Sequence, residues 1–267
     1  MKPLHFGSSA APLYGVYHPA HQQEGRAPAV LLCNPFGVEA IRAFRIYRIL
    51  AEKLAAAGSP VLRFDYTGTG NSADDDAVFC VARAVEDILL AHQELVDISG
   101  AARVAWLGLR FGGGLALLAS QQKPRGLGGL CLWDPVTDGP AYLTEMHDAH
   151  LLELSRVFDE SEKSILTRRQ QVDLSAEAMG FAIGADMQAD IPDLNLGAIT
   201  ERPARRIAVI AGEHEEDLMA HLEQTGAKIT TYQDEESQSW NTDAALNAFS
   251  VPRKTLDLLV ETLGGLR

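Results

Sequence analysis

The sequence predicts an α/β fold, a mostly parallel central sheet flanked by helices and interrupted by a helical cap insertion. Three observations carry that prediction. Short apolar runs at residues 29–33, 61–65, 127–133 and 205–211 alternate with stretches of helical periodicity, the pattern of strands covered on both faces. The first three runs lead into turns rich in Gly, Asn, Asp and Pro, which gathers those turns at the carboxyl edge of the sheet, where such folds bind ligands. From Asp138 to about Thr200 the pattern changes, because charge rises and amphipathic pieces such as residues 151–158 replace the strand runs. The expected organisation is a core of residues 1–137 and 201–267, with residues 138–200 as the cap or lid.

Each element has a local reason. Residues 3–6 and 12–18 read as an antiparallel hairpin around Gly7-Ser8-Ser9 at a sheet edge. The run Ala29–Cys33 is a buried strand that ends at Asn34-Pro35-Phe36-Gly37. Residues 44–57 carry Ile46, Ile49, Leu50 and Leu54 at helical spacing and stop at Gly58 before Pro60. The strand at 61–65 leaves through the glycine-rich turn Asp65-Tyr66-Thr67-Gly68-Thr69-Gly70-Asn71-Ser72, and Asp74, Asp75 and Asp76 supply acid for the head of a helix at 78–96. Beyond the insertion, 205–211 restores the strand pattern, 216–224 is helical, 227–232 is a last strand and 252–263 a closing helix.

Composition narrows the function classes. A chain of 267 residues with 46% hydrophobic and 22% charged residues builds one large α/β domain, or a core with a small insert. The formal charge of −13 argues against nucleic-acid binding and against docking by charge on an anionic membrane. Cys33, Cys80 and Cys131 sit in apolar runs without metal-ligand spacing, as reduced core thiols do. No stretch approaches the roughly 18 apolar residues of a membrane span, and the amino terminus lacks a run of signal-peptide length. A cytoplasmic protein without a cofactor is expected.

The chain is organised around Trp106-Leu107-Gly108-Leu109-Arg110-Phe111-Gly112-Gly113-Gly114. An apolar run enters a Gly-x-x-x-Gly turn and a small-residue helix leaves it, which is the outline of a nucleophile elbow, normally Gly-x-Ser-x-Gly. Arg110 holds the central position, and a guanidinium that stays protonated cannot attack a carbonyl.

These motifs resemble the α/β-hydrolase superfamily in its serine-aminopeptidase-like branch. The resemblance rests on Asn34-Pro35-Phe36-Gly37 at the oxyanion-loop position, on the glycine turn at 65–72 with Thr67 where Arg is usual, and on the elbow. Order and spacing agree from Leu4 to Pro135. A narrower similarity, carried by Gly108-Leu109-Arg110-Phe111-Gly112, Leu132-Trp133-Asp134-Pro135-Val136-Thr137-Asp138-Gly139 and Met179-Gly180-Phe181, is to hydrolase-like proteins of exosortase and exopolysaccharide gene clusters.

The resemblance implies the chain order nucleophile, acid, histidine. Arg110 fills the first place. Glu215 or Glu213 is the best positional match for the acid, with Asp134 the alternative one strand earlier; the bland reading of both Glu residues is exposed loop and helix-start carboxylates. No His occurs beyond His221, so Trp240 or a neighbour stands where the base is expected. His147 and His150 lie on one helical face and reach the site mouth, bind a metal with Asp148 or Glu145, or form a solvated face, the reading preferred because further ligands are not marked. His214 beside the acid position has no nucleophile to activate, and Ser72 and Thr67 belong to a structural turn.

Arg110, with backbone donors of Phe111 and of the loop through Asn34, Phe36 and Gly37, forms either an anion site or one end of an internal pair with Asp134, Glu213 or Glu215. A cation at a helix N-terminus opposes the helix dipole and so calls for a carboxylate or a bound anion. The function expected is that of a non-catalytic or accessory protein with a degenerate site, binding a small anionic or acyl ligand or a partner. The competing readings are an active hydrolase of ester, thioester or amide bonds using a non-standard nucleophile or activated water, and a structural partner in polysaccharide assembly.

Overall fold

The computed structural model describes residues 1–21, 27–158, 164, 176–211, 216–234, 236, 240 and 251–266. Its centre is an eight-stranded sheet in the order β1-β2-β4-β3-β5-β6-β9-β10. The strands are β1 Lys2–Gly7, β2 Pro12–His18, β3 Ala29–Cys33, β4 Val61–Phe64, β5 Val104–Leu109, β6 Leu127–Trp133, β9 Arg206–Ala211 and β10 Lys228–Gln233. β1 pairs antiparallel with β2 and β2 with β4, and the remaining pairings in this sheet are parallel. The predicted α/β-hydrolase fold is therefore present, with the amino-terminal hairpin at one edge.

Alternation along the strands divides the core between two faces. Ala29, Leu31 and Cys33 of β3 point into one apolar cluster, with Ile88, Leu115 and Leu222; Val30 and Leu32 point into the other, with Leu50 and Leu259. The first face is covered by α2 (Val81–Ser99), α3 (Phe111–Ser120) and α6 (Glu216–Gln224), and the second by α1 (Gly37–Ala56) and α7 (Arg253–Gly265). Burying β-branched and leucine side chains on both faces drives the layering, at roughly 25 cal/mol per Å² of apolar surface.

Three local differences from the sequence expectation bear on the site. α1 starts at Gly37 rather than near Phe44, because its first turn carries the fully buried Glu39 on the stripe shared by Ala43, Ile46, Tyr47 and Leu50. A charge on that stripe hides the helical period. Asp75 caps only the short 3-10 turn Asp76–Val78. The head of α2 is served instead by Asp190, whose carboxylate accepts the Val81 and Ala82 amides at 3.1 and 2.8 Å. An anion at a helix N-terminus is favourable, and here it ties remote segments together.

The segment between β6 and β9 is helical only in part. It holds α4 (Gly139–Val157) and α5 (Ala185–Asp190), but also a two-stranded ribbon of β7 (Glu177–Ala178) and β8 (Phe181–Ala182). Met179 and Gly180 turn this ribbon with φ of 54° and 84°, as a tight hairpin requires. The ends of the excursion meet, since Asp138 bridges to Asn195 and the Gly139 amide donates to the Leu194 carbonyl at 2.8 Å. Among the described residues no helix is long and apolar enough to cross a membrane.

Candidate functional site

Arg110 sits at the sharp turn between β5 and α3 with φ 50° and ψ −122°. A side chain in that region costs about 1–3 kcal/mol and persists only where the surroundings impose it. Here they do. The Arg110 amide donates to the Trp133 carbonyl at 3.0 Å, and its own carbonyl accepts the Gly113 and Val136 amides at 2.9 and 3.0 Å. The turn also needs bare backbone at Gly108 and Gly112. A Cβ on Gly108 would run into the Gly112 carbonyl, and one on Gly112 into the carbonyls of Cys33 and Asn34.

The Arg110 side chain is enclosed by carboxylates. Its Nε donates to Glu39 Oε1 at 3.0 Å, one terminal nitrogen donates to Glu145 Oε1 and Oε2 at 2.9 and 2.8 Å, and the other lies 3.6 Å from Asp134 Oδ2. Tyr142 completes the group. Its hydroxyl donates to Glu39 Oε2 at 3.0 Å, and the guanidinium carbon lies 5.8 Å from the centre of its ring. Glu39 comes from α1, Tyr142 and Glu145 from α4, and Asp134 follows β6, so the cluster joins the core to the segment between β6 and β9.

Burial and charge pull against each other in this cluster. Burial disfavours the charged form of Arg110, yet Glu39, then Glu145 and Asp134, outweigh it and hold the guanidinium above its ordinary pKa. The Glu39 carboxyl is pushed up by burial, and the Arg110 charge and the hydrogen bonds from Arg110 and Tyr142 oppose that push only in part. Exposure separates the partners: the Glu39 side chain is 1% accessible, that of Asp134 34% and that of Glu145 49%.

Asp134 and Trp240, two further candidates from the sequence, are in contact with each other. The Asp134 carboxyl is raised by burial and lowered by Arg110 and by a hydrogen bond to the Trp240 side chain. Trp240 is buried and packs edge-on against Trp133, with ring centres 5.3 Å apart. The Trp133 indole donates to Asp234 Oδ2 at 2.9 Å, and the Thr255 hydroxyl donates to Asp234 Oδ1 at 2.8 Å. An indole N–H only donates. Trp240 can therefore hold Asp134 in place but cannot accept a proton from a nucleophile. Glu213, His214 and Glu215 lie outside the described residues.

At the Asn34–Gly37 turn, aromatic packing fills the surrounding space. Phe36 stacks on Phe79 at 4.6 Å and lies 6.1 and 6.2 Å from Phe111 and Phe181, while Phe111 stacks on Tyr142 at 5.0 Å. Met146 and Phe181 lie over Gly37, within 3.4 and 3.5 Å of where its Cβ would stand. The Asn34 side chain is used internally, donating to the Phe64 carbonyl at 2.6 Å.

The remaining candidates have other partners. His150 is buried, and its Nδ1 accepts the Met179 amide at 3.0 Å, which fastens α4 to the β7–β8 ribbon rather than presenting a solvated face. Among the described residues no set of three His, Cys, Asp or Glu side chains is placed to hold a metal ion. Thr67 is used within the fold, its amide and hydroxyl both donating to Asp87 at 2.7 and 3.1 Å. The Ser72 hydroxyl donates to the Asp65 carbonyl and accepts the Tyr14 amide.

The structure brings Arg110, Asp134 and Trp240 together and adds Glu39, Tyr142 and Glu145, which sequence reasoning did not assign to the elbow. A signal for Glu39 existed: it is the acid at i relative to Ala43, Ile46, Tyr47 and Leu50, on an otherwise apolar helix face. Glu145 lies one turn beyond Tyr142 on α4, beside the buried stripe of Tyr142, Met146, His150 and Leu151, and its half-exposed side chain has no local mark that sets it apart from the other acids of that helix.

Comparison with known proteins agrees with the fold. The chain is similar to proline iminopeptidase from Mycobacterium smegmatis, with TM-score 0.63, 15% identity, and coverage of 98% of this chain and 97% of that one. It is similar to carboxyl esterase 2 from Tuber melanosporum, with TM-score 0.63, 15% identity and coverage of 98% and 84%. A third likeness is to α/β-hydrolase domain-containing protein 10 from mouse, with TM-score 0.58, 16% identity and coverage of 98% and 100%. At such identities the likeness is one of fold. No curated protein matches the sequence significantly. The family model described as serine aminopeptidase, S33, matches residues 40–177, just over half of the chain, and spans the elbow, Glu145 and Asp134. With the strand order and the elbow geometry, that match establishes that the chain belongs to the serine aminopeptidase S33 family of the α/β-hydrolase superfamily.

Proposed function

We propose that the protein is a non-catalytic member of this family, an accessory or binding protein in which the elbow serves as an ion-pair joint between the core and a cap formed by residues 138–200. The single observation that supports the reading is the engagement of Arg110 by Glu39, Glu145 and Asp134. A hydrolytic elbow needs a nucleophile next to a base. Here the nucleophile's place is taken by a permanent cation, and the indole of Trp240 is the partner of Asp134.

The charge balance refines the expected ligand. Three carboxylates face one guanidinium, so a small anionic or acyl-anion ligand reaches Arg110 only by exchanging with a resident acid. Glu145, the most exposed of the three, is the exchangeable one. An accessory role in exopolysaccharide assembly agrees with the narrower resemblance at Gly108–Gly112 and Met179–Phe181, and rests on that resemblance alone.

The test is chemical. Purified protein is incubated with a fluorophosphonate probe and with p-nitrophenyl esters of short and long acyl chains. The expected result is neither labelling nor turnover; stoichiometric labelling of any serine overturns the proposal.

A further inference from the structure

Among the described residues, the second face of the sheet is left open at β10. In the β10–β9 register Lys228 lies beside Arg206 and Thr230 beside Ala208. Lys228, Thr230 and Tyr232 alternate onto one face of β10, and the last turns of α7 wall that face from one side. Between them runs a trough of about 320 Å³, lined by Arg206, Lys228, Thr230, Tyr232, Glu261 and Thr262 among others. This volume is within the range of small-molecule sites, roughly 300–1,000 Å³. Arg110 follows the carboxyl end of β5, whereas the Arg206 and Lys228 pair of the trough lies at the amino ends of β9 and β10.

Two features distinguish the trough from an ordinary surface groove. First, it is locally basic on an acidic protein: Arg206 and Lys228 face a single Glu261, while the chain as a whole carries −13. Second, the Thr262 hydroxyl on its wall is buried and has no hydrogen-bond partner among the described residues. A buried hydroxyl without a partner is unfavourable. Arg206 is already oriented, because one terminal nitrogen donates to the Gly265 carbonyl at 3.0 Å.

The geometry points to a binding site for a small hydroxyl-rich ring bearing an acidic group, a sugar phosphate or a sugar acid. The paired cations at the Lys228 end take the phosphate or carboxylate through charge-assisted hydrogen bonds. Thr230, Thr262 and Glu261 meet ring hydroxyls, since they supply both donors and acceptors. Tyr232 offers an aromatic face to the ring's C–H side at the other end, about 13 Å along the strand from Lys228.

The test is isothermal titration of the full chain with glucose 1-phosphate, glucuronate, glucose and inorganic phosphate. Saturable binding of at least one anionic sugar is expected, together with weaker binding of glucose and of inorganic phosphate, because each of those lacks half of the recognised chemistry. Lys228→Glu is expected to weaken the anionic sugar about tenfold. Thr262→Val is expected to weaken it severalfold while raising the melting temperature, because the valine removes a buried unpaired hydroxyl. The site is overturned if neither anionic sugar binds at millimolar concentration, or if Lys228→Glu leaves the affinity unchanged. It is also overturned if inorganic phosphate binds as tightly as the sugar phosphate, which is the mark of an adventitious ion only.

Discussion

Arg110 Nε and Glu39 Oε1 lie 3.0 Å apart although the residues are separated by 71 positions, and the Glu39 side chain is 1% accessible. A carboxylate that deep requires a compensating charge, and Arg110 is that charge. The elbow arginine thus has a structural reason to exist that does not involve a ligand.

Removing one partner of this pair should be more damaging than removing both. Arg110→Met should destabilise the fold by about 3–5 kcal/mol, because Glu39 is left buried without its cation. Adding Glu39→Leu should recover a large part of the loss. Urea denaturation of the two single variants and the double variant gives the coupling energy, and additive losses would refute the pairing argument.

Tyr142→Phe removes the hydroxyl that donates to Glu39 Oε2 at 3.0 Å but keeps the ring stacked on Phe111 at 5.0 Å. A hydrogen bond to a charged acceptor contributes roughly 1.5–3 kcal/mol. The variant should unfold at lower urea with an unchanged slope. An unaltered midpoint would mean that Glu39 is served by other donors.

Arg110→Ser alone should yield no esterase activity, since Trp240 offers Asp134 an indole N–H and offers the serine no base. Adding Trp240→His places an imidazole beside Asp134. Fluorophosphonate labelling of both variants checks this. Rapid labelling of Arg110→Ser by itself would show that another residue supplies the base.

His18 supplies a pH dependence. The ring is buried and its Nε2 accepts from Arg63 Nε at 3.3 Å, so the neutral form is the one accommodated. Burial, followed by the Arg63 charge, lowers its pKa to about 4. The unfolded chain takes up this proton near pH 6.5 and the folded chain only near 4, so the stabilisation is present above pH 6.5 and is lost as pH falls towards 4. In His18→Gln the stability lost between pH 7 and pH 5 should be smaller by on the order of 1 kcal/mol. Denaturant titrations at the two pH values measure it; an equal loss in both proteins would exclude the histidine.

Gly112→Ala should impair folding itself, because the added methyl would press on the Cys33 and Asn34 carbonyls where α3 crosses the end of β3. Overpacking of this kind costs about 1–3 kcal/mol or more. A thermal melt of the variant checks it, and a native melting temperature would contradict the close approach.

The sequence by itself determined the layered sheet, the elbow and the absence of a histidine after the last strand. These are local properties: strand alternation, a Gly-x-x-x-Gly turn and residue identity are legible over a few positions. The bounds of β3 and β6 agree with the apolar runs for that reason. The partners of Arg110 were not local. The sequence offers Asp134, Glu213 or Glu215 as a partner without choosing among them, and Glu39 and Glu145 become neighbours of the guanidinium only when α1 and α4 converge over the turn. The capping of α2 by Asp190 was decided in the same way, by tertiary contact rather than by the acids next to it in the chain. Burial is the physical cause in each case. Coulomb interaction selects whichever opposite charge packing brings within about 4 Å in a poorly solvated place, and sequence distance does not enter that choice.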